Sequence, residues 1–179
     1  NKNTLGAIYI LRDPRNLITS LSNHYQLNLN ESLDFMIQEK KALVDRVDNK
    51  FKAFVPIFSW RFHLKSWIQN KSFKTIVIRY EDLTNETYYT FKKVIEFIDS
   101  LANNKNKFDK EKAKKTIVSC NFKNLQNLEK NKGFSEALTK KNSKEKIKFF
   151  NLGKDNDYRK LLNEDLINKM NNIFQEELV

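Results

Sequence analysis

The stretch from residue 5 to residue 20 reads LGAIYILRDPRNLITS and predicts a strand, a tight turn and a helix in succession. Residues 5–11 are a nearly continuous apolar run of β-forming residues, typical of a strand buried on both faces in a parallel sheet. The run stops at Arg12, after which Asp13 is a favoured N-cap and Pro14 a favoured first helical residue. A helix is therefore expected over residues 16–27, and the unit begins an α/β fold.

A second buried strand is predicted over residues 75–79, followed at once by Tyr80-Glu-Asp-Leu83. The other apolar patterns indicate helices, so the expected fold is a parallel sheet flanked by helices, with a helix-rich C-terminal part. One helix is expected to begin at Asn30 and to present Leu33, Ile37, Leu43, Val44 and Val47, with Pro56 ending the loop behind it. Further helices are expected over residues 58–68, from Thr84 or Asn85 to residue 101, over 109–119 and 122–130, and from Asn163 or Glu164 onward.

The composition limits what this chain can be. Its 179 residues carry 33 Lys and Arg against 22 Asp and Glu, a net charge of +11, and 40% of them are hydrophobic. This is enough for one domain over residues 1–179 with a substantial core. No stretch approaches the roughly 20 apolar residues that a membrane-spanning helix needs. The single cysteine fits a reducing, cytoplasmic compartment.

Scarce residue types exclude several kinds of site. One cysteine and two widely separated histidines leave neither a Cys-based zinc site nor an HExxH motif, so no metal is expected. The three glycines, Gly6, Gly133 and Gly153, cannot form a Walker A loop or a GxGxxG turn. If the chain handles a nucleotide, the loop that cradles the reacting phosphates is not among these residues.

Arg12 is the first candidate for binding chemistry, because ligands bind at the carboxyl ends of strands in open α/β sheets. A guanidinium there can hold a phosphate through two parallel hydrogen bonds, helped by N–H groups at the start of the helix. Ser20 follows eight positions later and can donate to the same anion. The alternative is that Arg12 pairs with Asp13 or Asp82 and that Ser20 is a solvated helix residue.

Five segments along the chain form a recognisable series. After the Arg-Asp-Pro strand end with its later Ser, residues 60–67 read WRFHLKSW, 79–83 RYEDL, 120–122 CNF and 149–158 FFNLGKDNDY. In this order they resemble the sulfotransferases that use 3′-phosphoadenosine 5′-phosphosulfate (PAPS). The resemblance covers nearly the whole chain and implies a P-loop-NTPase-like sulfotransferase fold that transfers a sulfuryl group from PAPS to a hydroxyl or amine, without a metal.

The resemblance also implies which residues bind the nucleotide. Arg12 and Ser20 would contact the 3′-phosphate, Tyr80 and Phe122 would contact the adenine, and the loop around Gly153 would close over the nucleotide. The implied cofactor-binding residues are Arg12, Ser20, Tyr80, Cys120, Phe122, Gly153 and Lys154.

The chain departs from the family's pattern at several positions. Asn151 and Leu152 stand where the family has Arg-Lys, which removes two cationic contacts unless Lys154 or Arg159 replaces them. Tyr158 stands where Trp is usual, and the cysteine of CNF where Thr is usual. The family's N-terminal strand and 5′-phosphosulfate loop have no counterpart here. We therefore expect the C-terminal portion of the fold and assign no catalytic base.

The two histidines do not change that assignment. His63 lies between Trp60 and Trp67 on a predicted helix, which indicates a packed histidine and not a base. His24 follows Ser20 on its helix and could approach the acceptor, although a surface or capping role is the simpler interpretation.

Two other functions remain open from the sequence. The net charge and the interleaved Lys and Phe of residues 122–150 are compatible with a nucleic-acid-binding module. Against it, the basic residues are spread along the chain among acids, and no common nucleic-acid motif occurs. A degenerate, non-catalytic sulfotransferase homologue is the other alternative, and the sequence does not identify an acceptor.

Overall fold

The computed structural model describes residues 3–47, 50–105, 107–140 and 143–178. In chain order its elements are β1 (Gly6–Leu11), α1 (Pro14–Tyr25), α2 (Leu29–Ile37), β2 (Ala42–Val47), β3 (Lys50–Pro56), α3 (Trp60–Ile68), β4 (Lys74–Arg79), α4 (Tyr80–Asn85), α5 (Thr87–Leu101), α6 (Lys110–Ser119), α7 (Phe122–Lys132), a 3₁₀ turn (Gly153–Asp155), α8 (Tyr158–Leu161) and α9 (Glu164–Ile173).

The two predicted buried strands form a parallel pair. β1 and β4 lie side by side with Gly6 opposite Lys74 and Leu11 opposite Arg79. Helices pack on both faces of this pair. On one face, a Cβ added to Gly6 would lie only 2.5 Å from Leu101 Cδ1, so α5 approaches the strand where only glycine leaves room. The α/β fold with a parallel sheet flanked by helices is confirmed.

The opposite face of β1 is covered by α3. Side chains alternate along a strand, so Tyr9 points away from the face that Gly6 occupies. Its hydroxyl lies 3.0 Å from His63 Nδ1, and its ring stacks on Trp67 with 5.8 Å between centroids. The prediction that His63 is a packed helix residue is confirmed.

Burial of β1 on both faces is a prediction that the structure contradicts. Ile8 and Ile10 are 43% and 55% exposed, and Val77 of β4 is 38% exposed. β1 has β4 along one edge and, among the described residues, no strand along the other, and the flanking helices leave these side chains partly uncovered. A continuous apolar run therefore does not guarantee that each of its side chains is covered.

The start of α1 follows the sequence prediction. Asp13 caps the helix by accepting a hydrogen bond from Arg15 N at 2.9 Å, and Pro14 is the first helical residue. The helix ends at Tyr25, and Gln26 takes the left-handed conformation, with φ of 53°. This end lies slightly before the predicted one.

The predicted helix through Val47 is wrong in both its cap and its length. Asn28, not Asn30, caps α2, in a capping box in which Asn28 and Glu31 each bond the other's backbone N–H. The helix stops at Ile37, and the segment beyond it turns back as a hairpin.

That hairpin is the largest structural element that the sequence analysis missed, because its apolar residues follow a helical spacing. Leu43 and Val44 lie in β2, which pairs antiparallel with β3, and Pro56 is the last residue of β3. Proline at the end of a strand gives up no ladder bond that the strand needs. Apolar residues at positions 43, 44 and 47 satisfy a helical period, but the backbone pairing with β3 determines the structure.

The segment after β4 also differs from the prediction. Tyr80–Asn85 forms the short helix α4, and α5 begins at Thr87 with Glu86 at its N-cap position. Thr84 therefore does not cap α5; its hydroxyl donates to the carbonyl of Glu81 at 2.9 Å.

The C-terminal helices were predicted more closely. Asn163 caps α9 through Leu166 N at 2.9 Å, and Gly133 ends α7 with φ of 75°. The basic segment over residues 139–146 contains a β-bridge between Thr139 and Lys146, while residues 141 and 142 lie outside the described residues. Within the described ranges, no helix has the length and apolar character to cross a membrane.

The apolar core lies between α1, α2 and the C-terminal helices. Its members are at most 7% exposed: Ile18, Leu33, Met36, Leu162, Leu166, Met170 and Phe174. Phe174 is 1% exposed, and its ring meets Trp60 edge-on with 5.2 Å between centroids. The core thus joins the first helix of the chain to the last.

Phe174→Ala is expected to lower the free energy of unfolding by about 3–5 kcal/mol, because it leaves a cavity in this core. Chemical denaturation of the variant measures the loss. Phe54→Ala is the matched control, because Phe54 is 63% exposed, and we expect its cost to stay within about 0.5 kcal/mol. Equal losses in the two variants would contradict the placement of the core.

His63 predicts a pH dependence of stability. Trp67 Nε1 can only donate, and it lies 3.3 Å from His63 Nε2, so this nitrogen accepts and the imidazole is neutral. Burial lowers the pKa of His63 from its ordinary 6.5. The unfolded chain therefore takes up the proton first, and stability is expected to fall as pH drops below about 6.5.

Unfolding free energies measured between pH 8 and pH 5 test this expectation. His63→Gln should show a smaller loss across that interval than the unsubstituted chain. Part of the loss should remain, because burial also lowers the pKa of His24. An identical pH profile in the variant would show that His63 does not titrate with folding.

Candidate functional site

A cavity of about 810 Å³ opens where β1 and β4 end. Its wall combines the ends of these strands with α1, the junction of α6 and α7, and the segment from residue 149 to residue 156. Every residue that the sequence singled out for the nucleotide lies in this wall: Arg12, Ser20, Tyr80, Cys120, Phe122, Gly153 and Lys154. These residues come from four separate stretches of the chain, whereas residues 60–67, also part of the series, do not line the cavity. The ligand that the wall binds stays a prediction.

Arg12 and Tyr80 lie side by side because of the strand register. Leu11 pairs with Arg79 at the ends of β1 and β4, so the next residue of each chain segment leaves the sheet at the same edge. The Arg12 guanidinium carbon lies 4.3 Å from the centroid of the Tyr80 ring. Stacking on the ring restrains the planar guanidinium at the cavity wall.

The Arg12 guanidinium has no carboxylate partner among the described residues. Asp13, its neighbour, is engaged by Arg15, whose Nε and NH2 lie 3.0 and 2.7 Å from the two carboxylate oxygens. Burial lowers the pKa of Arg12, against the opposing influence of Tyr80, Glu81 and Asp13. The alternative in which Arg12 pairs with Asp13 or Asp82 is therefore wrong.

What Arg12 does contact is Ser20. Its NH1 donates to Ser20 Oγ at 3.0 Å, so the two residues that the sequence analysis paired are in direct contact. The Nε of Arg12 is buried without a hydrogen-bond partner in the described structure. A half-buried guanidinium without a carboxylate partner, beside a hydroxyl in a cavity wall, is an arrangement that an anion would complete.

Among the polar residues of this wall that sequence reasoning missed are Thr19 and Asn156. The Asn156 amide donates to Ser20 Oγ at 3.2 Å and accepts from the Thr19 hydroxyl at 2.6 Å. Asn156 is only 8% exposed. A single asparagine in a loop has no characteristic spacing in the sequence. Its position within residues 149–158 was the one signal that pointed to it.

Phe122 packs against the backbone of the last loop. A Cβ added to Gly153 would lie 2.6 Å from Cε1 of the Phe122 ring, and Gly153 has φ of 57°. Glycine is thus required here both by its conformation and by the close approach of the ring. Phe150 meets Phe122 edge-on with 6.3 Å between centroids, which extends the aromatic surface.

The cationic residues around the last loop are not equivalent. Lys154 lines the cavity from the 3₁₀ turn. Arg159, the other predicted replacement for the family's basic pair, lies outside the wall, with Nε 3.2 Å from Asp157 Oδ1. Asn151 and Leu152 line the cavity without contributing charge. Of the two proposed replacements, Lys154 is the one that lines the cavity, and its role there stays a prediction.

The remaining candidates divide between the cavity and the rest of the molecule. His24, expected at the surface or at a cap, lies in the last turn of α1 and also lines the cavity, edge-on to Phe149 with 6.0 Å between centroids. Cys120 lines the wall with an exposed thiol at the end of α6. Across the described ranges, no cluster of three or more His, Cys, Asp or Glu could hold a metal ion.

Comparison with known proteins places this geometry in a family. Rat sulfotransferase 2A6 is 26% identical over 93 residues, which are 51% of this chain and 31% of the rat protein. The crystal structure of mouse sulfotransferase SULT7A1 complexed with PAP is 20% identical with a TM-score of 0.51, covering 94% of this chain and 55% of the mouse chain. The chain thus spans about half or less of these relatives' lengths.

A family model described as the sulfotransferase domain matches residues 2–179. The match includes the strand end at Arg12, the α4 segment and the loop at Gly153, which together form the cavity. The structural likeness to the mouse enzyme supports the same α/β fold. The chain belongs to the sulfotransferase domain family.

Proposed function

We propose that this chain binds the adenosine 3′-phosphate portion of PAPS and is part of a sulfotransferase that acts on a hydroxyl or amine acceptor. The observation that carries the proposal is Arg12, a half-buried guanidinium in the cavity wall that bonds Ser20 and has no carboxylate partner in the described structure. The similar mouse sulfotransferase was crystallised with PAP, which is 3′,5′-ADP, the product that PAPS leaves after transfer.

The residues present suit this nucleotide. A 3′-phosphate needs cationic and hydroxyl donors at fixed positions, and Arg12 with Ser20 supplies both within 3.0 Å of each other. An adenine needs an aromatic face, and Tyr80 and Phe122 line the same cavity. A volume of about 810 Å³ lies within the range of small-molecule and cofactor sites.

Each part of the wall has a separate task in this mechanism. PAPS supplies the sulfuryl group when bound. Arg12 and Ser20 hold the 3′-phosphate, and the loop around Gly153 excludes water from the adenosine side. Lys154 adds a positive charge at the opening. Such transfers depend on positioning and electrostatic stabilisation, so a fixed adenosine fixes the direction of the reacting end.

The net charge of +11 acts at longer range. A strongly basic chain raises the local concentration of an anionic ligand and speeds its association. This attraction does not distinguish a nucleotide from a nucleic acid. Preference for 3′,5′-ADP over 5′-AMP does distinguish them, because the two ligands differ only in the 3′-phosphate.

Isothermal titration calorimetry with these two ligands tests the proposal. The chain should bind 3′,5′-ADP more tightly than 5′-AMP. Arg12→Ala should weaken 3′,5′-ADP binding by at least about 2 kcal/mol, roughly 30-fold, because a charge-assisted contact is lost. Binding of 5′-AMP should change much less.

Arg159→Ala is the matched control, because it removes a guanidinium that lies near the loop but outside the cavity wall. Its affinity for 3′,5′-ADP should stay close to that of the unsubstituted chain. Equal affinities of the unsubstituted chain for the two nucleotides would refute the proposal. Tight oligonucleotide binding in their place would favour the nucleic-acid alternative.

A second prediction concerns the loop against Phe122. Gly153→Ala should weaken 3′,5′-ADP binding by about tenfold, or about 1.4 kcal/mol, because the new Cβ displaces the ring that faces the adenine. The loss should extend to 5′-AMP, since both ligands carry the adenine. Calorimetry with both nucleotides measures it.

Gly133→Ala provides the control for backbone strain. Gly133 also has positive φ, 75°, but a Cβ there meets nothing within 4 Å. This variant should lose stability without losing nucleotide affinity, because alanine strains the backbone at both sites and clashes only at position 153. Unchanged affinity in Gly153→Ala would contradict the role of the Phe122 surface.

A further inference from the structure

Asn156 is one of the few buried polar residues described, and all of its side-chain bonds go to α1. Its Nδ2 donates to the carbonyl of Asn16 at 3.0 Å and to Ser20 Oγ at 3.2 Å. Its Oδ1 accepts from Thr19 Oγ1 at 2.6 Å. The side chain thus fastens the segment after the 3₁₀ turn to one face of the helix that bears Ser20.

The orientation of the amide follows from its partners. A backbone carbonyl can only accept, so the atom facing the Asn16 oxygen must be the nitrogen of Asn156. The hydroxyl of Thr19 then meets the amide oxygen, to which it can donate. Turning the amide over would place two acceptors against each other at the Asn16 carbonyl, so the contact with Ser20 is an N–H donation.

Two donors therefore meet at the oxygen of Ser20. Arg12 NH1 donates to it at 3.0 Å, and the second N–H of Asn156 donates at 3.2 Å. A serine hydroxyl accepts two hydrogen bonds and donates one. With both acceptor positions engaged, its proton must point elsewhere, and in the described part of the chain nothing accepts it.

We propose that Asn156 is a positioning residue that holds the Ser20 hydroxyl as a ready donor to an anion in the cavity. This inference rests on the proposed function, in which the anion is the 3′-phosphate. Asn156 acts through Ser20, and Arg12 is the second group that orients it. This role accounts for the buried amide of Asn156 beside Ser20.

Loss of Asn156 changes what Ser20 can do. The Asn16 carbonyl lies four residues before Ser20 on α1, and serine in a helix readily donates to that position. Without the amide, the Asn16 oxygen keeps the Thr19 hydroxyl, which lies 2.9 Å away, but loses the Asn156 donor, so that the Ser20 hydroxyl can turn to it in place of the amide. The proton then leaves the cavity, and a phosphate must first break that bond.

The test compares 3′,5′-ADP with 5′-AMP in calorimetry on the unsubstituted chain, Asn156→Ala, Ser20→Ala and the double variant. The ratio of the two affinities isolates the 3′-phosphate. Asn156→Ala should lower the ratio about three- to tenfold, the worth of one oriented hydrogen bond. In the Ser20→Ala background, the same change should have no further effect, because the two residues act as one unit.

Asn171→Ala is the matched control. Asn171 also bonds α1, by accepting from Arg15 NH1 at 3.0 Å, but it lies outside the cavity wall. Its ratio should equal that of the unsubstituted chain. If Asn156→Ala does not fold, Asn156→Asp keeps the shape of the side chain and replaces the donor with an acceptor, and it should lower the ratio further.

The outcomes separate the inference from the proposed function. An unchanged ratio in Asn156→Ala or Asn156→Asp, or independent losses in the double variant, would overturn the positioning role and leave the nucleotide assignment intact. A purely structural role would weaken both nucleotides equally and would also leave the ratio unchanged. Absence of any preference in the unsubstituted chain would overturn the proposed function itself, and this inference with it.

Discussion

The in-register parallel pairing of β1 and β4 is the constraint on which the cavity depends. Parallel strands end at the same edge, so the residues that follow Leu11 and Arg79 leave the sheet together. Arg12 and Tyr80 are those residues, and the guanidinium lies 4.3 Å from the ring centroid. An antiparallel pair would place them at opposite ends of the sheet. The placement of Arg12 beside Tyr80 at the cavity is therefore a consequence of strand direction.

The cavity also depends on the position of α1. One face of this helix packs in the core, and another face lines the cavity. Successive helical residues are about 100° apart, so Ile18 and Ser20 point in nearly opposite directions. Ile18 is fully buried against the C-terminal helices, whereas Ser20 lines the cavity and bonds Arg12. Packing at Met170 and Phe174 therefore fixes the position of the helix that presents the hydroxyl. The C-terminal part of the chain then returns to that helix through Asn156.

Sequence reasoning succeeded where the determinants are local and short. The strand, the Asp13 cap and the following helix were predictable because one apolar run and one cap residue specify them. The seven candidate residues of the cavity wall were named from the sequence because the four segments that carry them resemble a family. The hairpin was not, since Leu43 and Val44 fit a helical period and only pairing with β3 decides otherwise. Asn156 escaped because its partners lie more than 130 residues earlier in the chain.

The charge of the chain and the chemistry of its cavity work at different ranges. Most of the lysines lie outside the cavity wall. Within the wall, Arg12 and Lys154 are the permanently cationic members among the described residues. A diffuse field attracts anions without selecting among them. Selection must then come from short-range donors, and a neutral hydroxyl donating to a phosphate still forms a charge-assisted bond. A donor that is already oriented before the ligand binds loses no further conformational entropy on binding. On the proposed function, the oriented Ser20 hydroxyl therefore adds to the discrimination that the Arg12 guanidinium provides in a wall where Asn151 and Leu152 contribute no charge.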